Sequence, residues 1–230
     1  QPGTSGGTAG ALTLNGNISV DGGGNVDLTA VNAVTLATGA ITIDTDATGG
    51  ALHAGNILFR TTTGTVGTIN GAQTLTLDAS ADGTNQNGGN VQFGTVGGTT
   101  RLTGLTVNTT GIGTGSNGTL SVKGNISTEA GAVDFANVST VVLQSNVTID
   151  TDSVDGTGTP GAVTFKNTST TNGAFALDIN TSATGAEAVS GGAVALGVVG
   201  NTTPLTSVTV ATQPGTSGGT AGALTLNGNI

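Results

Sequence analysis

Two short acidic runs have the strongest claim to chemistry in this chain. Asp44-Thr45-Asp46 and Asp150-Thr151-Asp152, the second followed by Asp155, set carboxylates two residues apart among Gly and Thr. Calcium takes about six to eight oxygen ligands, so close carboxylates backed by loop carbonyls are a fitting donor set. The spacing matches neither the EF-hand loop nor the nonapeptide repeat of calcium solenoids. Calcium at Asp44, Asp46, Asp150, Asp152 and Asp155 is one expectation. The other is structural. Asp44 and Asp150 share a strand-end pattern with Asp78, Asn108 and Asn180, where a short polar side chain can accept hydrogen bonds from nearby backbone amides.

The remaining reactive residues are few. Cys is absent, which excludes disulfides and thiolate metal sites, and His53 is the single His, with no triad partner beside it. Polysaccharide-active β-helix enzymes need carboxylates clustered with Arg, Lys or His. Arg60 and Lys166 occupy equivalent places in the sequence, which marks a repeated surface position, not one catalytic centre. We expect no catalytic and no cofactor-binding residues, and no enzyme. With a net charge of −9 and basic groups only at Arg60, Arg101, Lys123 and Lys166, the chain is unsuited to a phosphate backbone. No nucleic acid partner is expected, and no membrane span, because no apolar run reaches bilayer length. Met, Trp and Tyr are also missing, so oxidisable side chains are avoided, which suits exposure outside a cell.

Repetition organises everything else. Gln1 to Ile18 recurs letter for letter as Gln213 to Ile230, a period of 212 residues. That period divides into two quasi-repeats, approximately 12–119 and 120–223. Asp44-Thr45-Asp46 matches Asp150-Thr151-Asp152, and Ile57-Leu58-Phe59-Arg60 matches Val163-Thr164-Phe165-Lys166, both at an offset of 106. A five-residue motif that recurs about every 30 residues begins at Gly24, Gly55, Gly89, Gly131, Gly161 and Gly192 and ends four residues on. Its last position reads Leu28, Phe59, Phe93, Phe135, Phe165 and Leu196, one column expected to form the core. A second column, from Ile41-Thr42-Ile43 to Val208-Thr209-Val210, alternates apolar and polar residues as a strand with one buried face does.

Like residues returning once per unit are what stacked coils require. The expected fold is all-β, a parallel β-helix (β-solenoid) with coils of about 30 residues, forming one continuous segment over 1–230. Six such coils are legible per period. The strands Leu12 to Leu14, Leu120 to Val122 and Leu224 to Leu226 are extra, either side excursions or additional small coils. The alternative fold is a tandem of β-sandwich domains of about 106 residues, which the number of strands allows. The outward residues Thr42, Thr76, Thr106, Thr148 and Thr209 invite an ice-binding reading, which Asp178 interrupts; Thr is also simply a good strand residue.

The strings GAQTLTLDAS, GNVQFGTVGGTTRLTGLTV and AITIDTDATGG resemble the giant repetitive surface proteins of bacteria related to filamentous haemagglutinins. That resemblance implies a right-handed helix, secretion, and a cell-surface fibre or adhesin stalk. The expected function is a non-catalytic structural repeat of an extracellular fibre, partnered end to end by itself. The alternatives are an adhesin whose wall binds glycan or a partner protein and, less directly, a polysaccharide-active enzyme.

Overall fold

A computed structural model describes residues 10–45, 52–61, 66–152, 158–185 and 188–230. These residues form strands and turns and no helix. The first coil runs β1 (Ala11–Leu14), β2 (Ile18–Ser19) and β3 (Val26–Leu28). The next three coils continue with β4 (Ala33–Leu36), β5 (Ile41–Asp44), β6 (Ile57–Phe59), β7 (Thr68–Asn70), β8 (Thr74–Asp78), β9 (Val91–Phe93), β10 (Thr95–Val96), β11 (Gly104–Asn108) and β12 (Thr119–Val122). Then come β13 (Ile126–Ser127), β14 (Val133–Asn137), β15 (Thr140–Leu143), β16 (Val147–Asp150), β17 (Val163–Phe165) and β18 (Thr170–Asn172). The chain ends with β19 (Ala176–Asn180), β20 (Val194–Leu196), β21 (Val198–Val199), β22 (Ser207–Ala211) and β23 (Leu224–Leu226).

Every third strand joins the same sheet, always in parallel. The first wall runs β1-β4-β7-β10-β13-β16-β19-β22, the second β2-β5-β8-β11-β14-β17-β20-β23, and the third β3-β6-β9-β12-β15-β18-β21. The molecule is therefore a β-solenoid with three strands per coil, and the sandwich alternative is set aside. The three extra strands are neither excursions nor separate small coils but ordinary members of the walls: β1 lies in the first, β12 in the third and β23 in the second.

Alternation in the sequence becomes inside and outside. In β8, Leu75 and Leu77 are buried while the flanking Thr74, Thr76 and Asp78 are half-exposed, and β5, β16 and β19 repeat that pattern. The inward residues of all three walls merge into one core from Leu14 to Val199. Phe59, Phe93, Phe135, Phe165 and Leu196 are buried in it, and Leu28 packs against it. The single file expected of them is, however, two files on two walls. Leu28 pairs with Phe59 in the third wall, which Phe93 joins before Val122 takes the next place. Phe135 pairs with Phe165 in the second wall, their rings 5.4 Å apart and edge to face, with Leu196 on the following strand. Two files suffice for the core because Val and Leu continue each ladder where Phe stops.

Glycine sets how tightly the coils close. At the entrance to the third wall, a Cβ on Gly55 would overlap the carbonyl oxygen of Gly24, one on Gly89 that of Gly55, and one on Gly118 that of Gly89. At the entrance to the second wall Gly161 meets Gly131, Gly192 meets Gly161, and Gly222 meets Gly192 in the same way. Of the glycines that begin each motif, Gly55, Gly89, Gly131, Gly161 and Gly192 are thus demanded by backbone lying on backbone, whereas a Cβ on Gly24 would meet the Val20 side chain. Gly16, by contrast, has open space around the place of a Cβ. Gly89→Ala should destabilise the fold by about 1–3 kcal/mol, read as a lower thermal midpoint, while Gly16→Ala leaves the midpoint nearly unchanged. Equal effects at both positions would remove the close approach as the cause.

Candidate functional site: the coil corners and the open edge

The strand-end column serves the backbone. Asp78 Oδ1 accepts from the Ser80 amide at 3.0 Å and the Ser80 hydroxyl at 2.6 Å. Asn108 holds Thr110 and Asn180 holds the Ser182 amide in the same i to i+2 geometry. Asp27 binds the Thr29 amide at 2.9 Å and its hydroxyl at 2.6 Å. The Thr29 hydroxyl first, and its amide second, hold the Asp27 carboxyl below the usual carboxylate range against a slight desolvation.

A buried threonine follows many of these residues and seals the polar return. Thr45, Thr109, Thr151 and Thr181 donate to the carbonyls of Gly55, Gly118, Gly161 and Gly192 at 2.7–3.2 Å. Each of those glycine amides donates back to the threonine carbonyl, at 2.8–3.3 Å. Reciprocal bonds pin each return at its neck, where threonine and glycine stand 9 to 11 residues apart. This clamp was not anticipated from the sequence, although the Thr column itself (Asp-Thr, Asn-Thr) is visible there.

Asparagines bond one coil to the next. Asn25 Oδ1 accepts from the Asn56 amide at 2.7 Å, Asn56 from Asn90 at 2.8 Å, and Asn90 from Thr119 at 2.8 Å. His53 belongs to a similar corner: its Nδ1 accepts the Asn87 amide at 2.9 Å, and Asn87 in turn accepts the Ser116 amide at 2.8 Å. The lone His therefore acts as another corner acceptor.

Arg101 links three levels of the first wall. Its guanidinium meets Asp150 Oδ2 at 2.8 Å and donates to the carbonyls of Thr128 at 3.3 Å and Asp152 at 2.8 Å. Both side chains of the ion pair are about a quarter exposed (25% and 23%), so its contribution is modest. Asp150 Oδ1 also accepts the Asp152 amide at 3.2 Å and Asn180 Nδ2 at 3.4 Å. Of the carboxylates considered for calcium, Asp150 is thus committed to Arg101, and Asp152 is buried beside it, its Oδ1 without a partner among the described residues. Asp44 stands in the second wall, aligned with Asp78, far in sequence and on another wall from Asp150. Asp46 and Asp155 lie outside the described residues. Among the described residues no group of three or more His, Cys, Asp or Glu converges.

Arg60 and Lys166 follow Phe59 and Phe165, which puts them past the third and second walls respectively; Lys166 Nζ reaches Ser139 Oγ at 3.1 Å. The outward Thr residues divide likewise. Thr42, Thr76 and Thr106 are in register on the second wall and give way to Asp134, whereas Thr148 and Thr209 flank Asp178 on the first.

The C-terminal edge differs from the walls. Leu224, Leu226 and Ile230 are exposed at 48–61%, and a pocket of about 440 Å³ opens beside Val199, Leu205, Val208 and Ile230. This is core surface with no coil above it within the described residues. The described residues contain no helix long and apolar enough to cross a membrane. Comparisons with family models, curated proteins and solved structures found no significant match to this chain.

Three substitutions test these roles. Thr151→Val keeps shape but leaves the Gly161 carbonyl without its buried hydroxyl, at a cost of about 1–3 kcal/mol in denaturant unfolding. Arg101→Gln should cost about 1–2 kcal/mol, less at high salt; no change would show that the linkage bears no strain. Asp27 should titrate below an ordinary aspartate by NMR, and Thr29→Ala should raise it. Because its folded pKa is depressed, Asp27 stabilises the fold above the unfolded carboxylate pKa, and that contribution fades as pH falls through the folded value.

Proposed function

We propose that this chain is a non-catalytic structural repeat of an extracellular fibre, filament or adhesin stalk. The observation that carries the reading is the coincidence of two repeats. An exact 212-residue sequence period is laid on a solenoid whose coils stack like on like. A solenoid grows in length by adding coils, each contacting only its neighbours, so repetition extends a rod without changing its section.

Three further features support this reading. The most specific side chains found, Asn25, Asn56, Thr151 and Arg101, bind the chain's own backbone. The outer surface is Thr-, Asn- and Ser-rich and weakly acidic, which limits lateral sticking. The apolar C-terminal edge suits a further coil, either covalently continued or from another copy. The absence of oxidisable side chains, together with the likeness to repetitive bacterial surface proteins, favours a position outside the cell. In this reading calcium is dispensable, since Arg101 already supplies the positive charge at Asp150.

Electron microscopy of chains carrying one, two and three periods tests the proposal. The expected images are unbranched rods of constant width whose length grows by about 35 Å per period, taking about 4.8 Å per coil, and which chelators do not shorten. Compact particles of growing width would contradict it.

A further inference from the structure

One sequence occupies different walls in its two copies. Residues Ala11 to Ile18 form β1 in the first wall and turn the corner into β2 of the second. Their exact copy begins as β23 in the second wall, and Asn229 then bonds Val199 of β21, in the third. One period from β1 to β23 is twenty-two strands, seven full turns and one strand over.

The half-period tells the same story. Leu120 to Ile126 is the degenerate copy of this stretch, and it runs from β12 in the third wall to β13 in the first. Eleven strands separate β1 from β12, and eleven more lead to β23. Each half-period is therefore one strand short of four turns.

Local structure travels with the sequence and ignores the wall. Gly71 and Gly173 hold φ of 138° and 137°, and Gly97 and Gly200 hold 71° and 72°. Asn70 accepts the Thr99 amide at 2.9 Å, and Asn172 accepts the Thr202 amide at 2.9 Å. Asn17 and Asn125 accept Thr42 and Thr148 at 2.9 and 3.0 Å. Within each pair the two members sit on different walls. The three walls are thus interchangeable frames, and the fold does not force a segment back to its original face.

We propose that successive 212-residue periods advance around the solenoid axis by one wall, a third of a turn, so that the array regains its orientation only after three periods. This rests on the reading that the period continues as an array. Any surface feature present once per period, such as the Arg101–Asp150 linkage, then winds around the fibre at about 35 Å per step along the axis. No face of the fibre is privileged, and a partner recognising one feature meets it on all three sides.

The rotation makes a definite junction. β23 already holds the second wall and the strand after it fills the third, so the next strand, the second copy of β3, enters the first wall and lies directly on β22. Outward Thr209 then opposes the second copy's Asp27, at a spacing that a disulfide spans. If the Leu224–Leu226 strand were instead a side excursion, the second copy of β4 would cover β22 and its Thr35 would oppose Thr209.

The chain has no Cys, so paired cysteines can be read without background. In a chain extended to two periods, Thr209→Cys is combined with Asp27→Cys or with Thr35→Cys in the second copy. After mild oxidation the first combination should lose nearly all free thiol, and the second should retain it. The pair Asp178→Cys and Thr209→Cys, aligned within the present chain, serves as the closing control. Closure of the Thr35 pair, or of neither junction pair while the control closes, overturns the rotation. Failure of the fibre reading would show separately, as compact particles in the microscope from a chain whose control disulfide forms.

Discussion

Backbone lying on backbone at the corners is the constraint on which the structure depends. Parallel strands about 4.8 Å apart need corners that stack as closely as the walls do. Where Gly89 passes over Gly55, and Gly161 over Gly131, there is no room for a side chain. Once those corners close, each wall falls into register, and register decides which residues enter the core. Leu75 above Ile41 and Phe165 above Phe135 are consequences of that register. The Asn and Thr side chains then occupy the polar groups that a tight corner leaves unpaired, as Asn56 does for Asn90 and Thr151 for Gly161.

Much of this was legible in the residues. The alternation in Leu75-Thr76-Leu77 names a half-buried strand, and the return of glycine before each Phe or Leu names a stacked coil. The strand-end role of Asp78 and Asn108 also follows from side-chain length alone. What the residues hid was phase. Six like positions look like one column when the wall is not known, yet Phe93 and Phe135 belong to different walls because β14 follows β9 by five strands, one short of two full turns. A sequence period reports that a segment returns, not which face it returns to. The Arg101–Asp150 linkage was equally hidden, since its partners lie 49 residues apart and sit beside each other only after two coils are wound. The threonine clamp is intermediate: its column can be seen, but the glycine carbonyl it serves depends on a loop of variable length.

Interchangeable walls explain how such a chain tolerates uneven spacing. Val34 to Ile69 spans one turn in 35 residues, while Ile126 to Ile149 spans one in 23. The difference is taken up by returns bounded at the neck, such as the one that Thr45 and Gly55 close. Under the proposed fibre function this separation is useful. Length and stiffness come from corners and core, while the returns, closed at the neck over 10 residues at Thr45 and over 3 at Thr128, differ in length.

Fibre diffraction from aligned multi-period material tests the central claim most directly, because stacked coils run their strands across the long axis. The account predicts a sharp reflection near 4.8 Å on the meridian. The same spacing on the equator, as strands running along the fibre would give, would contradict it.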